Sequence, residues 1–196
     1  MRTQDEIKTC VEALLSRMTL EEKIGQMVQS AGNDTSAIGG DVDALPLEGQ
    51  IEQGLVGSVI YINDNAAQAR KWQKLAVEKS RLGIPLLFCQ DVIHGFQTVF
   101  PIPLGWSCSF DPDLIHQAAE VSAKEATRAG VMLTFSPMLD IARDPRWGRM
   151  SEGAGEDPYL DGQIARALVT GYQGGENGAG LGDGVHLAGC LRNVLG

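Results

Sequence analysis

The chain has 196 residues, of which 43% are hydrophobic and 21% are charged, a composition typical of a folded domain with its own core. Its formal net charge is −9 and the sequence has no basic stripe to bind phosphates, so we expect no nucleic-acid partner. The apolar runs are far too short to span a membrane, so we expect no membrane partner, and the amino-terminal residues MRTQDEIKTCVEALL lack the apolar core of a signal peptide, which predicts a cytoplasmic location.

Helices are predicted where apolar residues recur with a spacing near 3.6 and where capping residues stand at the ends. Thr19 and Glu22 form the pattern of a capping box. Asp111 and Pro112 have the residue types of an N-cap and a first helical position, and Gly130 ends that helix. The predicted helices are, in chain order, 3–18, one that begins after Thr19, a short one at 49–53, 63–80 with Asn63 or Asp64 as its cap, 112–129 and 158–173.

Strands are predicted at four short apolar or β-branched runs: 55–62, 85–92, 131–138 and 185–190. They do not alternate between polar and apolar residues, as is typical of strands buried on both faces of a parallel sheet. The polar, glycine-rich segment 30–45 is predicted to be a loop. Strands that alternate with helices predict an α/β fold with a parallel sheet. A small doubly wound sheet and the first half of a (β/α)8 barrel both fit, since a complete barrel needs eight strands and ~250 residues.

The segment DIARDPRWGRMSEGAGEDPY, residues 140–159, stands out from the rest of the chain. It follows the strand predicted at 131–138 and contains three arginines, one tryptophan and five acidic residues. Its glycines and prolines restrict the shapes that the backbone can take. Constrained, charge-rich loops at strand ends often carry functional sites, although a purely structural network of salt bridges has the same composition.

RDPRWGR followed by SEGAGEDPYL resembles the signature of glycoside hydrolase family 3, which includes β-glucosidases and β-xylosidases. The resemblance extends to MTLEEKIGQMVQ, residues 18–29, and to QDVIHGFQTVFPIPLG, residues 90–105. It covers the chain from about residue 14 to about residue 190 and is nearest to bacterial β-glucosidases of the periplasmic type. The catalytic domain of that family is a (β/α)8-like barrel. The resemblance therefore implies a partial TIM-like barrel, about its first half, with residues 1–196 as the amino-terminal part of an incomplete catalytic domain.

The resemblance assigns two residues to substrate binding. It implies that Asp91, in the DxxHG motif, accepts hydrogen bonds from hydroxyls of the non-reducing-end sugar, a task that suits the two oxygens of a carboxylate. It implies that Arg149, in WGR, donates to sugar hydroxyls in the same pocket. Without the resemblance, Asp91 stands at the carboxyl end of a predicted strand, where ligand sites gather, and a role as a cap or salt-bridge residue is about equally supported.

The other charged residues of the motifs are assigned to loop support. Arg143 and Arg146 are expected in ion pairs within the loop. Glu156 and Asp157 are expected to brace the loop and to cap the helix predicted at 158–173, because acidic residues are favoured at a helix N-terminus. Glu152 is placed in the same supporting class.

Two further residues of the motifs invite a functional role that we do not assign. His94 has the chemistry of a general acid or base, but we expect it to pack near Asp91 and to orient the loop. Trp147 has the chemistry to stack on a sugar, but we expect it to pack in the core.

The cysteines and histidines do not form a metal-binding pattern. The four cysteines are scattered and no two have CxxC spacing, so we expect neither a zinc site nor a disulfide framework. Cys89 and Cys190 lie in apolar runs and are expected to be small buried side chains. The three histidines do not make a metal triad. We therefore expect no metal and no cofactor.

The resemblance also implies residues that this chain lacks. A retaining glycosidase needs two carboxylates ~5–5.5 Å apart. The family's nucleophile is an aspartate in a Ser/Thr-Asp-Trp-like motif, which does not occur here, and its acid/base residue comes later still. The family has a Lys-His pair where this chain reads LRNVLG, an end that a reading-frame slip would explain. We therefore expect a truncated chain without catalytic residues, inactive alone and able to self-associate through an exposed edge strand.

Two functions follow from these observations. The first is hydrolysis of terminal non-reducing β-D-glucosyl residues with a β-glucoside or oligosaccharide substrate, by a retaining enzyme of which this chain is a part. The alternative is a non-catalytic sugar-binding or partner-dependent half barrel. A related exo-β-N-acetylglucosaminidase is less compatible with the long form RDPRWGR…GEDPYL.

Overall fold

The structure, a computed structural model, describes residues 3–32, 45–62 and 65–192. The chain forms two compact units. The first comprises Met1–Ile60 and Ala67–Leu87, and the second comprises Tyr61–Ala66 and Phe88–Gly196. In both units parallel strands are connected through helices.

The described residues of the first unit form two parallel strands and four α-helices. Its elements are α1 (Gln4–Leu15), α2 (Leu20–Gly25), β1 (Gln29–Ala31), α3 (Leu47–Glu52), β2 (Ser58–Ile60) and most of α4 (Ala66–Lys79). β1 and β2 are parallel, with Ser30 opposite Val59. Thr3 and Thr19 each form a complete capping box with the glutamate three residues on, which satisfies backbone donors that a helix start leaves unpaired.

In the described part of the second unit there are three parallel strands and three α-helices, besides short 3-10 helices at Met150–Glu152 and Glu176–Gly178. Its elements are β3 (Leu87–Gln90, from its second residue on), α5 (Pro103–Ser107), α6 (Pro112–Ala129), β4 (Leu133–Thr134), α7 (Pro158–Gln173) and β5 (Ala188–Gly189). β4 pairs in parallel with β3 and with β5, so the carboxyl ends of the three strands lie at one edge. α6 and α7 pack closely at Gly171, where an added Cβ would lie 2.6 Å from the carbonyl oxygen of His116.

The helix predictions are confirmed where local signals are strong. The bounds of α6 and α7 agree with the predictions, Asp111 accepts a hydrogen bond from Leu114 N–H, and Gly130 takes a left-handed φ of 100°. The capping box at Thr19 is present. The first helix ends at Leu15, three residues early, because the chain turns before the next cap. The predicted caps of the fourth helix, residues 63 and 64, lie outside the described residues.

The four predicted strands are found at the predicted positions, but each observed strand is shorter than predicted. One further strand, β1, is not among the predictions. β1 falls at the start of segment 30–45, which was predicted to be a loop because its later residues are polar and glycine-rich; residues 33–44 of it lie outside the described residues. α5 was missed because PIPLG reads as a turn, yet Pro103 occupies the first position of that helix, where its missing N–H costs nothing. Cys89 is buried as predicted, and burial raises the pKa of its thiol to about 11. Cys190 is only half-buried.

Candidate functional site

Asp91 follows β3 directly, at the edge where the strands of the second unit end. Each oxygen of its carboxylate accepts one hydrogen bond. Tyr61 Oη donates to Oδ2 over 2.8 Å, and Arg192 Nη1 donates to Oδ1 over 2.7 Å. The hydrogen bond to Asp91 raises the pKa of the Tyr61 phenol. The side chain of Asp91 is 22% exposed, so the carboxylate is held in one orientation and is still open to solvent.

The backbone after Asp91 is fixed by two buried side chains from other elements. Val92 N–H donates to Thr134 Oγ1 over 2.9 Å, and Tyr172 Oη donates to Val92 O over 2.6 Å. All three residues have no exposed surface. Burial raises the pKa of Tyr172 to about 12, which keeps the phenol a donor. β4 and α7 therefore both determine where the chain leaves β3.

The loop that continues from Asp91 is closed by hydrogen bonds of its own. His94 Nδ1 lies 3.0 Å from Phe100 O, and Phe100 N–H donates to His94 O over 2.8 Å. Glu125 of α6 accepts hydrogen bonds of 2.8 Å from the N–H groups of Gln97 and Thr98 at the loop tip. His94 thus contacts the loop itself, and its role in orienting Asp91 stays a prediction.

Arg149 is paired with Glu152 through both arms of its guanidinium. Nε lies 2.7 Å from Oε1 and Nη2 lies 2.6 Å from Oε2. The hydrogen bond from Arg149 lowers the pKa of Glu152. The same pairing raises the pKa of Arg149, and the charges of Asp140 and Asp91 add to the effect. Arg149 therefore lies within electrostatic range of Asp91, but the hydrogen bonds of its side chain go to Glu152 and to the sulfur of Met138.

Four other charged residues of the motifs are more exposed to solvent than Asp91 and Arg149. Arg146 pairs with Asp144, two residues away, and its side chain is 89% exposed. Asp157 caps α7 by accepting a hydrogen bond from the N–H two residues on. Arg143 and Glu156 are exposed, and neither takes part in the side-chain hydrogen bonds or ion pairs found among the described residues. The bracing roles of Arg143 and Glu156 stay predictions.

The expectation that Trp147 packs in the core was wrong. Its side chain is 42% exposed. It lies in a run of turns, and both of its neighbours in the chain, Arg146 and Gly148, are exposed. Its place among exposed turn residues leaves the ring in contact with water.

Sequence reasoning missed four residues that hold Asp91 or Val92. Tyr61 had a signal, because it follows β2 directly and so also stands just past a strand end. Arg192 lies in the segment LRNVLG, where the sequence departs from the family pattern. Its backbone N–H donates to Pro137 O, and its carbonyl accepts from Leu139 N–H, both over 3.0 Å; residues 193–196 lie outside the described residues.

Thr134 and Tyr172 gave no sequence signal. Their partners are backbone groups 42 and 80 residues away, and neither side chain belongs to a motif. Such contacts follow only from the pairing of strands and the packing of a helix, which a pattern along the chain does not reveal.

An apolar cavity of about 370 Å³ lies between α5 and α6, away from Asp91. Its lining includes Phe100, Trp106, Leu114 and Val121. Sugar hydroxyls need several hydrogen-bond partners, whereas apolar side chains outnumber Ser109 and Gln117 in this lining. The carboxyl end of β3 is therefore the better candidate for a sugar site.

Within residues 3–32, 45–62 and 65–192, no three His, Cys, Asp or Glu side chains come together in a group that could hold a metal ion. The side chain of His186, for example, contacts Asp183, with 2.7 Å between Nδ1 and Oδ2. In the same ranges, none of the helices has both the length and the apolar character needed to cross a membrane.

Comparison with known proteins relates most of the chain to one family. The model of the glycosyl hydrolase family 3 N-terminal domain matches residues 19–189. A periplasmic beta-glucosidase of Salmonella typhimurium is 42% identical over 164 residues, which make up 84% of this chain and 20% of that protein. A periplasmic beta-glucosidase/beta-xylosidase of Dickeya chrysanthemi is 36% identical over 84% of this chain and 28% of its own length. The chain thus spans about a quarter of the length of the curated relatives it matches.

Solved structures agree with the sequence relatives. A beta-glucosidase from Listeria innocua in complex with glucose superposes with a TM-score of 0.77 at 42% identity, covering 94% of this chain and 26% of that one. An exo-1,3/1,4-beta-glucanase from a Pseudoalteromonas species superposes with a TM-score of 0.82 at 27% identity, covering 100% and 26%. These structures have a TIM-barrel-like N-terminal domain, so the partial barrel, and not the doubly wound sheet, is the right one of the two predicted topologies. The chain belongs to glycosyl hydrolase family 3.

Proposed function

We propose that this chain supplies part of the sugar-binding site of a retaining β-glycosidase that acts on terminal non-reducing β-D-glucosyl residues. Residues 1–196 then form the amino-terminal part of its catalytic barrel domain. Asp91 and Arg149 bind the substrate. The observation that carries the proposal is the Asp91 carboxylate, oriented by two hydrogen bonds at the carboxyl end of β3, in a chain of this family.

The chemistry of Asp91 suits a vicinal pair of sugar hydroxyls. An ionised carboxylate has about four lone-pair sites, and Tyr61 and Arg192 occupy two of them. Two hydroxyl donors on neighbouring carbons have room to bind the rest. Bonds of this kind, between a hydroxyl and a charged acceptor, are stronger than neutral ones.

Arg149 has donors to offer the same sugar. A guanidinium has five N–H groups, of which Glu152 takes two and the sulfur of Met138 a third. The pairing fixes the plane of the guanidinium and directs its other donors. We assign no nucleophile and no general acid/base to this chain, so the two carboxylates that hydrolysis requires come from other parts of the enzyme.

The names of the relatives support a substrate class. Beta-glucosidases and beta-xylosidases both occur among them, so β-glucosides are the proposed substrates and β-xylosides the nearest competitors. A non-catalytic sugar-binding half barrel is the alternative function. It is compatible with the same observation, because Tyr61 and Arg192 orient the Asp91 carboxylate without any catalytic residue.

Glucose binding, measured by nuclear magnetic resonance titration of this chain, tests the proposal. We expect Asp91→Ala to abolish binding and to leave the thermal unfolding transition intact. Asp113→Ala, which replaces an exposed acid on α6, is the matched control and should bind as the unaltered chain does. Equal binding by Asp91→Ala, or none by the unaltered chain, would contradict the proposal.

Hydrolysis separates the two functions. The release of nitrophenol from a nitrophenyl β-glucoside should be absent with this chain and present with a full-length relative. Turnover by this chain alone would show that our assignment of no catalytic residue is wrong. Persistent binding without turnover in a full-length form of this protein would favour the non-catalytic alternative.

Arg149→Lys tests the second substrate-binding residue. A lysine is a point charge and does not reproduce a planar fork, so we expect glucose binding to weaken about tenfold. Arg146→Lys, in the same motif but 89% exposed, is the control. Equal affinity in the two variants would remove Arg149 from the site.

Self-association is also proposed. Among the residues that the structure describes, β5 pairs with β4 and with no strand on its other side, and an unpaired strand edge is a template for association. Sedimentation over a range of concentrations would detect it. A monomer at all concentrations would rule it out.

The location of the protein is a choice between two expectations. The amino-terminal residues favoured the cytoplasm, whereas two relatives are named as periplasmic. Fractionation of the cells that produce this protein distinguishes the two compartments.

A further inference from the structure

We propose that Tyr61 is a positioning residue for Asp91 and that its hydroxyl sets the affinity of this site for glucose. The inference rests on the proposed sugar-binding role of Asp91. It adds a residue outside the motifs that carry the family resemblance, since Tyr61 lies between MTLEEKIGQMVQ and QDVIHGFQTVFPIPLG.

The backbone of Tyr61 has an unusual conformation. Its φ is +62°, in the left-handed region that a bulky side chain seldom takes. The conformation is held in place, because Tyr61 N–H donates to Cys89 O over 3.1 Å. Glycine takes this conformation without strain but has no hydroxyl to offer. Strained non-glycine residues gather at functional sites, and here the strain coincides with the hydrogen bond to Asp91.

The two partners of Asp91 each bind a different oxygen of its carboxylate. Tyr61 Oη takes Oδ2, and Arg192 Nη1 takes Oδ1. A guanidinium readily binds both oxygens of a carboxylate at once. By occupying Oδ2, the phenol keeps Arg192 to a single oxygen and prevents a two-point ion pair that would take up the lone pairs meant for sugar hydroxyls.

A purely structural role explains the contact less well. The side chain of Tyr61 is 37% exposed, so its hydroxyl can reach water and does not need Asp91 to be satisfied. Asp91 and Arg192 are the charged groups that act on the phenol, and the bond to Asp91 raises the pKa of Tyr61. The interaction is therefore favourable for the carboxylate in the orientation that the structure shows.

Glucose titrations of this chain test the role. We expect Tyr61→Phe to bind glucose about tenfold more weakly, with an unchanged unfolding transition. Tyr159→Phe removes a hydroxyl from a residue that is 74% exposed and should bind as the unaltered chain does. Equal affinity for Tyr61→Phe and Tyr159→Phe would overturn the inference.

A rescue experiment distinguishes positioning from a direct contact with the sugar. Lysine cannot bind both carboxylate oxygens as a planar guanidinium does. In an Arg192→Lys background, Tyr61→Phe should therefore lower the affinity for glucose less than about threefold. Such non-additivity is expected when two residues are coupled. A tenfold loss that persists in that background would overturn the mechanism, because Arg192 would then not be what the phenol restrains.

A titration without sugar tests the pair itself. The chain has three tyrosines, so in a Tyr159→Phe background the near-ultraviolet absorbance reports the phenols of Tyr61 and Tyr172. Asp91→Asn should lower the pKa of Tyr61, because the carboxylate raises it, and should leave the transition of Tyr172 in place. An unchanged titration would overturn the inference and leave the proposed function standing. Failure of the unaltered chain to bind glucose, with the pKa shift present, would instead overturn the proposed function.

Discussion

Two regions of the second unit carry charged motif residues, and they are held in different ways. At the carboxyl end of β3, the backbone after Asp91 is fixed by Thr134 and Tyr172, which are 42 and 80 residues away from Val92. In the loop 143–149, Arg146 pairs with a residue only two positions away. Contacts between distant elements fix a position in the fold, whereas contacts between near neighbours fix only the local shape of a loop.

Burial separates the two regions further. Val92 and both of its side-chain partners have no exposed surface, so a hydrogen bond lost there leaves a polar group without water to replace it. The loop 143–149 is exposed to solvent, so water and dissolved salt weaken its ion pairs. The region with the most charge in the sequence is therefore the one whose charges should matter least for stability.

Tyr172→Phe should produce the largest loss of stability. It leaves Val92 O buried without its donor while the shape of the ring is kept. We expect the free energy of unfolding to fall by about 1–3 kcal/mol, measured by urea denaturation. Tyr159→Phe is the matched control and should change nothing, because that ring is 74% exposed. Similar stabilities of the two variants would mean that the buried hydroxyl does not hold the end of β3.

Alkaline pH should weaken the same contact. The pKa of Tyr172 is raised from 10.0 to about 12 by burial, so the fold favours the neutral phenol. Its contribution is fully present below the unfolded-state pKa and is lost as pH rises through the folded-state pKa. Unfolding free energies measured between about pH 8 and about pH 11 should fall more steeply for the unaltered chain than for Tyr172→Phe. Parallel curves would contradict this.

The same division explains what the sequence could predict. α6 was predicted to the residue because Asp111, Pro112 and Gly130 are local signals that act within one turn of the helix. The strand predicted at 131–138 kept its place but only Leu133–Thr134 form the ladder. The rest of the apolar run adds only an isolated parallel bridge between Met138 and Arg192, next to Pro137, which has no N–H to donate to a ladder.

The candidate site divides in the same way. The position of Asp91 past a strand end could be predicted, because it follows from the order of residues. The partners of Asp91 and Val92 could not, since Tyr61 and Arg192 are 30 and 101 residues from Asp91. The prediction for Trp147 fails for a related reason. An apolar ring is buried only where other elements of the fold pack against it, and its place in the sequence does not show whether they do.

The Arg149–Glu152 pair should have an intermediate effect, because it lies at the border between the two regions. Its side chains are 35% and 27% exposed, so we expect about 1 kcal/mol or less. The hydrogen bond from Arg149 lowers the pKa of Glu152 below 4.5. Its contribution is therefore present above the unfolded-state pKa and is lost as pH falls through the folded-state pKa. Glu152→Gln should flatten this acid dependence, and Glu52→Gln, at an exposed position, should not. An unaltered acid limb in Glu152→Gln would show that the pair adds nothing.

Arg146→Ala should have the smallest effect, although it removes an arginine from the same motif. The side chains of Arg146 and Asp144 are 89% and 47% exposed, and the pair joins residues only two positions apart. Water replaces each partner when the other is removed, so we expect no measurable change in melting temperature and none in glucose binding. Arg149→Ala, three residues on, supplies the contrast, because it should weaken both. A loss from Arg146→Ala as large as that from Arg149→Ala would show that the exposed part of the loop supports the site after all, and that burial is not what separates the two regions.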